Sequence, residues 1–412
     1  MDAWKNYSTS WDNIETPETF GINNLSTFQD ISKKITLREW NNEIVHKLLF
    51  NTILLWIYFA LGILGNTVVI FFYSFRIKGK LEDRFLIPHL AFFDLLATIL
   101  TTIDKTMDNI FPVMYPSYRL CQILNFSSRV FAATGDGVLL LIAVHRYQRI
   151  CRPFQFQRPF SNSRVCLALV FLVTVLLNLP VFMFYGLHSV HHHTFDIEGY
   201  RCDHIHHHAL FSIFMTGYDI CIFVLIVIVM IAISALYSLI ARTIKQSAGN
   251  AMRFKKRSTD FSSSSYTNRV DQTPGKDGKC NVLEISKNLD KTLLEGIGGF
   301  SASKVKKMRR SSSTSNTGQL ASRYRYQKNR FSYMFMAIAL LFILTYIPSN
   351  ILKMCELTHP EMLFELPHWK LHFYLFFRQG YILNHVVNPF VYGLFDSGFR
   401  RDLISFLTCL KK

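Results

Sequence analysis

Ala143-Val144-His145-Arg146-Tyr147 closes a long apolar run that occupies positions 118–144. A guanidinium at the end of such a run is costly to keep in a membrane unless the chain uses it. Working outward from it, comparable runs lie near 48–75, 85–107, 163–186, 210–240, 331–354 and 371–395. About 20 consecutive mainly apolar residues are needed to cross a hydrocarbon layer of roughly 30 Å, so each run is long enough. Seven crossings are expected. In lipid every backbone amide must be satisfied within the segment, so runs of this length are read as helices; barrel strands would be nearer 10 residues and would alternate in polarity.

Composition agrees. Half of the 412 residues are hydrophobic, 37 are Phe and only 18% are charged, yet the apolar residues come in blocks rather than at the spacing of a soluble core. Positions 1–47 contain no short apolar core with a small-residue cleavage site, so no removable signal peptide is expected and the first span is read as the targeting element. Orientation follows lysine and arginine. Arg76, Lys78, Lys80 and Arg84 follow the first span, Arg149, Arg152, Arg158 and Arg164 follow the third, and Lys411-Lys412 end the chain. Those segments are assigned to the cytoplasm, and seven crossings then place the N-terminus outside. Segment 242–330 carries a net charge of +14, most of the whole chain's formal +17. One inner loop therefore accounts for the basic balance, and nucleic-acid binding explains it poorly.

The closing run ends Asn388-Pro389-Phe390-Val391-Tyr392. With the His145-Arg146-Tyr147 triplet at the end of the third run, this makes the chain resemble a rhodopsin-like (class A) G protein-coupled receptor, divergent and similar to neuropeptide receptors. The resemblance covers roughly 48–245 and 327–410. It implies an all-α membrane protein, a seven-transmembrane helix bundle with a short C-terminal interfacial helix. The expected division is an extracellular segment 1–47, helices one to five over 48–244, a disordered basic third cytoplasmic loop 245–327, helices six and seven over 328–396, and an interfacial helix with a short tail over 397–412. The loop is rich in Ser, Lys, Gly and Asn and poor in large apolar residues, hence read as disordered. Phosphorylation by receptor kinases and arrestin binding are expected there because so little tail remains.

The resemblance also assigns roles. Arg146 would grip a heterotrimeric G protein once freed, with Tyr237 and Tyr392 closing over it. Phe342, Tyr346 and Pro348 resemble the sixth-helix switch, Tyr346 standing in the usual tryptophan position. Pro348 removes one helical hydrogen bond and makes a bend, as does Pro389. Asn66, Asp94, Asn384 and Asn388 resemble a polar cluster around a sodium ion, the one cofactor considered; the usual third-helix serine there is Gly135, and a hydrogen-bond network without sodium is the competing reading. Cys121 and Cys202 are paired by the resemblance, and both face an oxidising compartment where a disulfide persists.

Departures from the pattern are informative. His145 stands where an acid usually precedes the arginine, and Lys328 stands where an acid often clasps it, so a weakly held resting state with high basal signalling is expected. The fourth span has Val170 near the usual tryptophan, and the fifth has Val229 at the usual proline. Asp136 has no partner evident from the sequence.

For the ligand, Ser128 replaces the aspartate of amine receptors and Arg129 follows it. Arg129 and Arg378 favour an anionic group if they face the cavity, with Asp104, Asp219, Lys353 and Glu356 adding a rim of both signs. That mixture suits a peptide, with a small non-peptide ligand as the alternative. Arg129 paired internally with Asp219 or Asp104 is the competing reading. Asn6 and Asn24 begin glycosylation sequons, Cys409 is a palmitoylation candidate, and eight of the fifteen histidines crowd positions 186–210 without the fixed spacing of a structural metal site. A seven-helix ion or proton transporter competes as a class, but no internal repeat supports it. No nucleotide-binding glycine loop, metal-spaced cluster or nucleophile elbow points to an enzyme.

Overall fold

The structure is a computed structural model that describes residues 25–76, 85–152, 163–192, 197–205, 209–267, 314–358 and 366–410. The first helix runs Leu25–Phe71 and continues as a π-turn over Phe72–Arg76; it is followed by Leu86–Ile110, Tyr118–Cys151, Ser163–Asn178 and a short helical turn Val181–Phe184. Two strands come next, β1 (Tyr185–His192) and β2 (Ile197–His204), paired antiparallel with Leu187 opposite Cys202. The fifth and sixth spans lie in long helices, Ala209–Thr267 and Thr314–Thr358. Glycosylation positions Asn6 and Asn24 lie outside the described residues.

Among the described residues six helical segments are apolar and long enough to cross a membrane, the fourth of them turning at Leu179-Pro180. The seventh crossing, read from the sequence as one helix, is two pieces, His368–Arg378 and Tyr381–Phe395. The break at Gln379-Gly380 is closed by Gln379 N–H to Leu375 O (2.9 Å) and Gly380 N–H to Phe377 O (3.1 Å). A side chain at Gly380 is costly because a Cβ would lie 3.2 Å from Thr345 O of the neighbouring helix. Two further boundaries differ from expectation. Helix already covers Leu25 to the start of the first span, and helix enters the third cytoplasmic loop from both sides, to Thr267 and from Thr314; the middle of that loop lies outside the described residues.

Packing follows from which faces can meet. The first helix packs on the second, the second on the third, the third on the fourth and fifth, and the seventh on the first, second and sixth, while the third and sixth barely touch through their backbones. The main core joins Val69, Leu90, Val138, Ile142, Ile233, Ile240, Met334, Phe335, Ile338, Phe342 and Tyr392 from six spans. Outward-facing residues such as Leu64, Leu172, Ile231 and Leu344 are apolar and at least half exposed, the reverse of a soluble protein's surface and what a lipid-facing wall requires. The missing tryptophan of the fourth span has a local explanation: Val170 sits so close to Gly137 that a Cβ there would lie 2.5 Å from Val170 Cγ1. The bare backbone of Gly137 makes room for Val170 and lets the two helices approach.

Candidate ligand mouth, midplane network and transducer face

At the outer end the hairpin is tied down on several sides. Cys121 and Cys202 form the expected disulfide, with Cα atoms 5.5 Å apart. Tyr200 N–H donates to Val113 O (2.7 Å) and Tyr115 N–H to Tyr200 O (2.9 Å), while Gln122 Nε2 donates to Tyr185 O (3.2 Å). Trp40 of the first helix meets the His192 ring edge-on at 5.0 Å. The hairpin therefore roofs the bundle.

Beneath it lie the charged candidates. Arg129 is paired neither with Asp219 nor with Asp104 among the described contacts: its guanidinium bonds the Tyr185 hydroxyl and lies 4.3 Å from that ring's centroid. Tyr185 Oη is also 2.5 Å from His204 Nε2. Asp219 is 2% exposed and is met by Lys353 at 3.5 Å and His204 at 3.6 Å, but neither of its oxygens accepts a hydrogen bond among the described residues. Asp104 is turned to a separate cluster, accepting from Asn125 Nδ2 (3.3 Å) and Ser128 Oγ (3.4 Å) and pairing with Lys105 at 3.1 Å. Arg378 is committed to Glu356, through Nε and Nη2 at 2.8 Å each. The expectation of two arginines facing an anionic ligand is corrected accordingly: Arg378 has its own carboxylate, and Arg129 leans on an aromatic phenol.

Of the crowded histidines, His188, His191, His192 and His204 are described; His193, His206, His207 and His208 lie outside the described residues. Among the described residues no group of three or more His, Cys, Asp or Glu is arranged to hold a metal ion. Burial pushes the His204 ring down from 6.5 to about 4, against the opposing pull of Asp219 and Asp203. Burial also pushes Asp203 up, but Arg201, the His204 charge and the His204 N–H outweigh it and hold the carboxyl below its usual 3.8.

The midplane holds a denser polar network than the sequence showed. Asp94, 1% exposed, accepts from Asn388 Nδ2 on one oxygen (2.7 Å) and faces His385 Nδ1 on the other (2.8 Å). A ring nitrogen opposite a carboxylate donates. Asn66 Nδ2 donates to His385 O (2.9 Å). Asn384 is not part of this cluster: its Nδ2 donates to Asp136 Oδ1 (3.1 Å), whose Oδ2 accepts from Tyr346 Oη (2.5 Å). Asp136 thus has two partners, on helices six and seven. His385 stands out in the sequence as an ionisable residue within a span, but its pairing with Asp94 is not legible there because only the fold brings the seventh-helix ring against that carboxylate.

At the inner end Arg146 is 3% exposed and its guanidinium lies over Phe335 and Phe331, at 5.0 and 5.7 Å from the ring centroids. Tyr237 and Tyr392 are buried, with Tyr237 in electrostatic reach of Arg146 and Tyr392 in reach of Tyr237. His145 is buried, Tyr147 packs against the core, and the side chain of Lys328 is outside the described residues. Phe342 contacts Tyr346, ring to ring at 4.5 Å. Pro348 and Pro389 both lie inside helices, and Pro389 packs against Gly65, where a Cβ would lie 2.9 Å from its Cγ. The interfacial helix is Ser397–Leu410. Asp396 starts it, accepting from Gly398 N–H (2.9 Å) and Phe399 N–H (3.3 Å), and also accepts from Tyr73 Oη (2.7 Å).

This arrangement can be set beside known proteins. A family model described as 7 transmembrane receptor (rhodopsin family) matches residues 65–392, most of the chain. The chain belongs to that family. The human neuropeptide S receptor is 28% identical over 137 residues, 32% of this chain and 36% of the relative. A Gq-coupled rhodopsin of Mizuhopecten yessoensis is 27% identical over 31% of this chain and 26% of its own. A QRFP-like peptide receptor of Branchiostoma floridae is 26% identical over 35% and 39%. The chain spans about a third of the length of the curated relatives it matches. Membership of the rhodopsin family makes this a receptor and not an enzyme, and it displaces the transporter reading.

Proposed function

We propose that this rhodopsin-family receptor sits in the plasma membrane with its N-terminus outside, binds an extracellular peptide and activates a heterotrimeric G protein at its inner face. The observation that carries the ligand reading is the outer end of the bundle: beneath the hairpin lie charges of both signs, among which Asp219 is buried with neither oxygen hydrogen-bonded among the described residues. A buried carboxylate so placed costs free energy until a donor arrives. A peptide with a basic side chain or free amine supplies that donor, and Lys353, held no closer than 3.5 Å to Asp219, is then left for the peptide's anionic groups. Two of the relatives are themselves named for peptides, which supports the same reading.

For the inner face, Arg146 carries the argument. Outward movement of the sixth helix would uncover its guanidinium from Phe335 and Phe331 and offer its five donors to backbone carbonyls of an inserted Gα segment. Kinases and arrestin would act on the serines of the third loop, carbohydrate on Asn6 and Asn24, and an acyl chain on Cys409. The test is a screen of secreted peptides on cells expressing the receptor, read by calcium and cyclic AMP. A peptide agonist that loses potency on Asp219→Asn supports the proposal. Response only to uncharged small molecules, or signalling unaffected by Arg146→Ala, would overturn it.

A further inference from the structure

Asp94 is the buried carboxylate around which the resemblance places a sodium ion, and the residues present do not fit that ion. A hard cation needs a shell of oxygen ligands. Here both carboxylate oxygens are already engaged, Oδ2 by Asn388 Nδ2 at 2.7 Å and Oδ1 by His385 Nδ1 at 2.8 Å. Asn384, a candidate ligand, is turned to Asp136 instead. Thr98 donates its proton to Asp94's own backbone oxygen (2.7 Å). Asn66 Oδ1 is left without a hydrogen-bond partner among the described residues, and one such oxygen does not make a shell.

The absence of a side chain at position 135 and the presence of a ring at 385 are complementary. A Cβ at Gly135 would lie 3.1 Å from Asp94 Oδ1 and 3.5 Å from both Cε1 and Nδ1 of His385. A serine there would therefore crowd the carboxylate and the imidazole together. Glycine opens the space and histidine, fully buried, fills it. We infer that His385 stands in for the sodium ion in this receptor, its imidazole N–H occupying the face of Asp94 that a free cation would need, with Gly135 making the room. The receptor is then indifferent to sodium, its midplane carboxylate being held by a tethered donor whose occupancy cannot vary with the salt outside the cell.

Thermal unfolding of the purified full-length receptor in detergent tests this without a ligand. The melting temperature is compared in sodium chloride and in N-methylglucamine chloride at equal ionic strength. For the natural chain the two values are expected to coincide within about 1 °C, because an ion that binds only the folded state raises stability and one that does not bind leaves it unchanged. The double variant Gly135→Ser with His385→Ser restores a hydroxyl and removes the ring; it is expected to melt several degrees higher in sodium. A sodium-specific rise in the natural receptor overturns the inference, as does a folded double variant that stays indifferent. If the double variant does not accumulate, His385→Ser alone is read the same way, a smaller sodium-specific rise being expected and no rise overturning the assignment.

Discussion

The outer mouth and the midplane both bury carboxylates, but they satisfy them differently. At the midplane Asp94 and Asp136 each have both oxygens occupied by short hydrogen bonds from side chains of the sixth and seventh helices. At the mouth Asp219 is approached by Lys353 and His204 only at 3.5 and 3.6 Å, while Arg129 is spent on a phenol. A saturated carboxylate fixes helices to one another. An under-satisfied one is available to something that arrives later, so the first layer reads as frame and the second as receptor surface.

The largest expected effect tests whether the mouth needs its roof. Cys202→Ser removes the tie between the hairpin and the third helix. Loss of a native disulfide costs about 2–5 kcal/mol, so surface expression and ligand binding should both fall severely, measured by flow cytometry and agonist response. Next is Asp219→Asn, which keeps shape and removes charge. If the mouth receives a basic group, potency should drop about 10- to 100-fold, the equivalent of roughly 1.5–3 kcal/mol for a hydrogen bond to a charged group, with surface expression unchanged; equal potency would place Asp219 with the frame instead.

Asp136→Leu probes the frame from the other side. It deprives Tyr346 and Asn384 of their acceptor, at about 1–3 kcal/mol for a buried group left unsatisfied. Because the third and sixth helices barely meet through their backbones, the sixth helix should be loosened and ligand-free G-protein activation should rise several-fold in a nucleotide-exchange assay. A smaller change is expected from His145→Asp, which supplies Arg146 with an adjoining acid and should lower basal exchange; an unchanged baseline would mean that the aromatic faces of Phe335 and Phe331 already hold the arginine at rest.

The weakest effect is that of acid on the mouth. His204 is kept neutral by burial, its pKa falling from 6.5 to about 4 despite nearby Asp219 and Asp203. The unfolded ring takes up a proton near 6.5 and the folded ring only near 4, so its contribution to stability is whole above pH 6.5 and is lost as pH falls from 6.5 to 4. Melting temperature should therefore decline over that window, with Arg129 and Lys353 nearby opposing protonation, and His204→Gln should flatten the decline.

The frame was largely legible in the sequence. Apolar runs long enough to cross lipid, basic inner loops and two motifs in order located the spans, since the cost of an exposed amide in hydrocarbon leaves few alternatives. What was not legible depends on contacts between distant residues. Asp136 and Tyr346 are 210 positions apart and His385 and Asp94 are 291 apart; no local pattern joins either pair. The break at Gln379-Gly380 has no proline to announce it, and the β-hairpin of 185–204 is held by a disulfide and by the turn at Val113–Tyr115 rather than by strong alternation of its own. Arg378 looked available from its position alone, but Glu356, one helix earlier, claims it.

The bend at Pro348 and the break after Arg378 are coupled by one hydrogen bond. Ser349, next to Pro348, donates its hydroxyl to the carbonyl of Arg378 at 2.6 Å, the last residue before the seventh crossing divides. Each rod has its weakest backbone there, and the pair is pinned at that level. A pull on the outer stub of the seventh rod therefore reaches the kink of the sixth, so the two rods are geared together, and a force applied only at the outer end need not enter the membrane's centre to be felt on its far side.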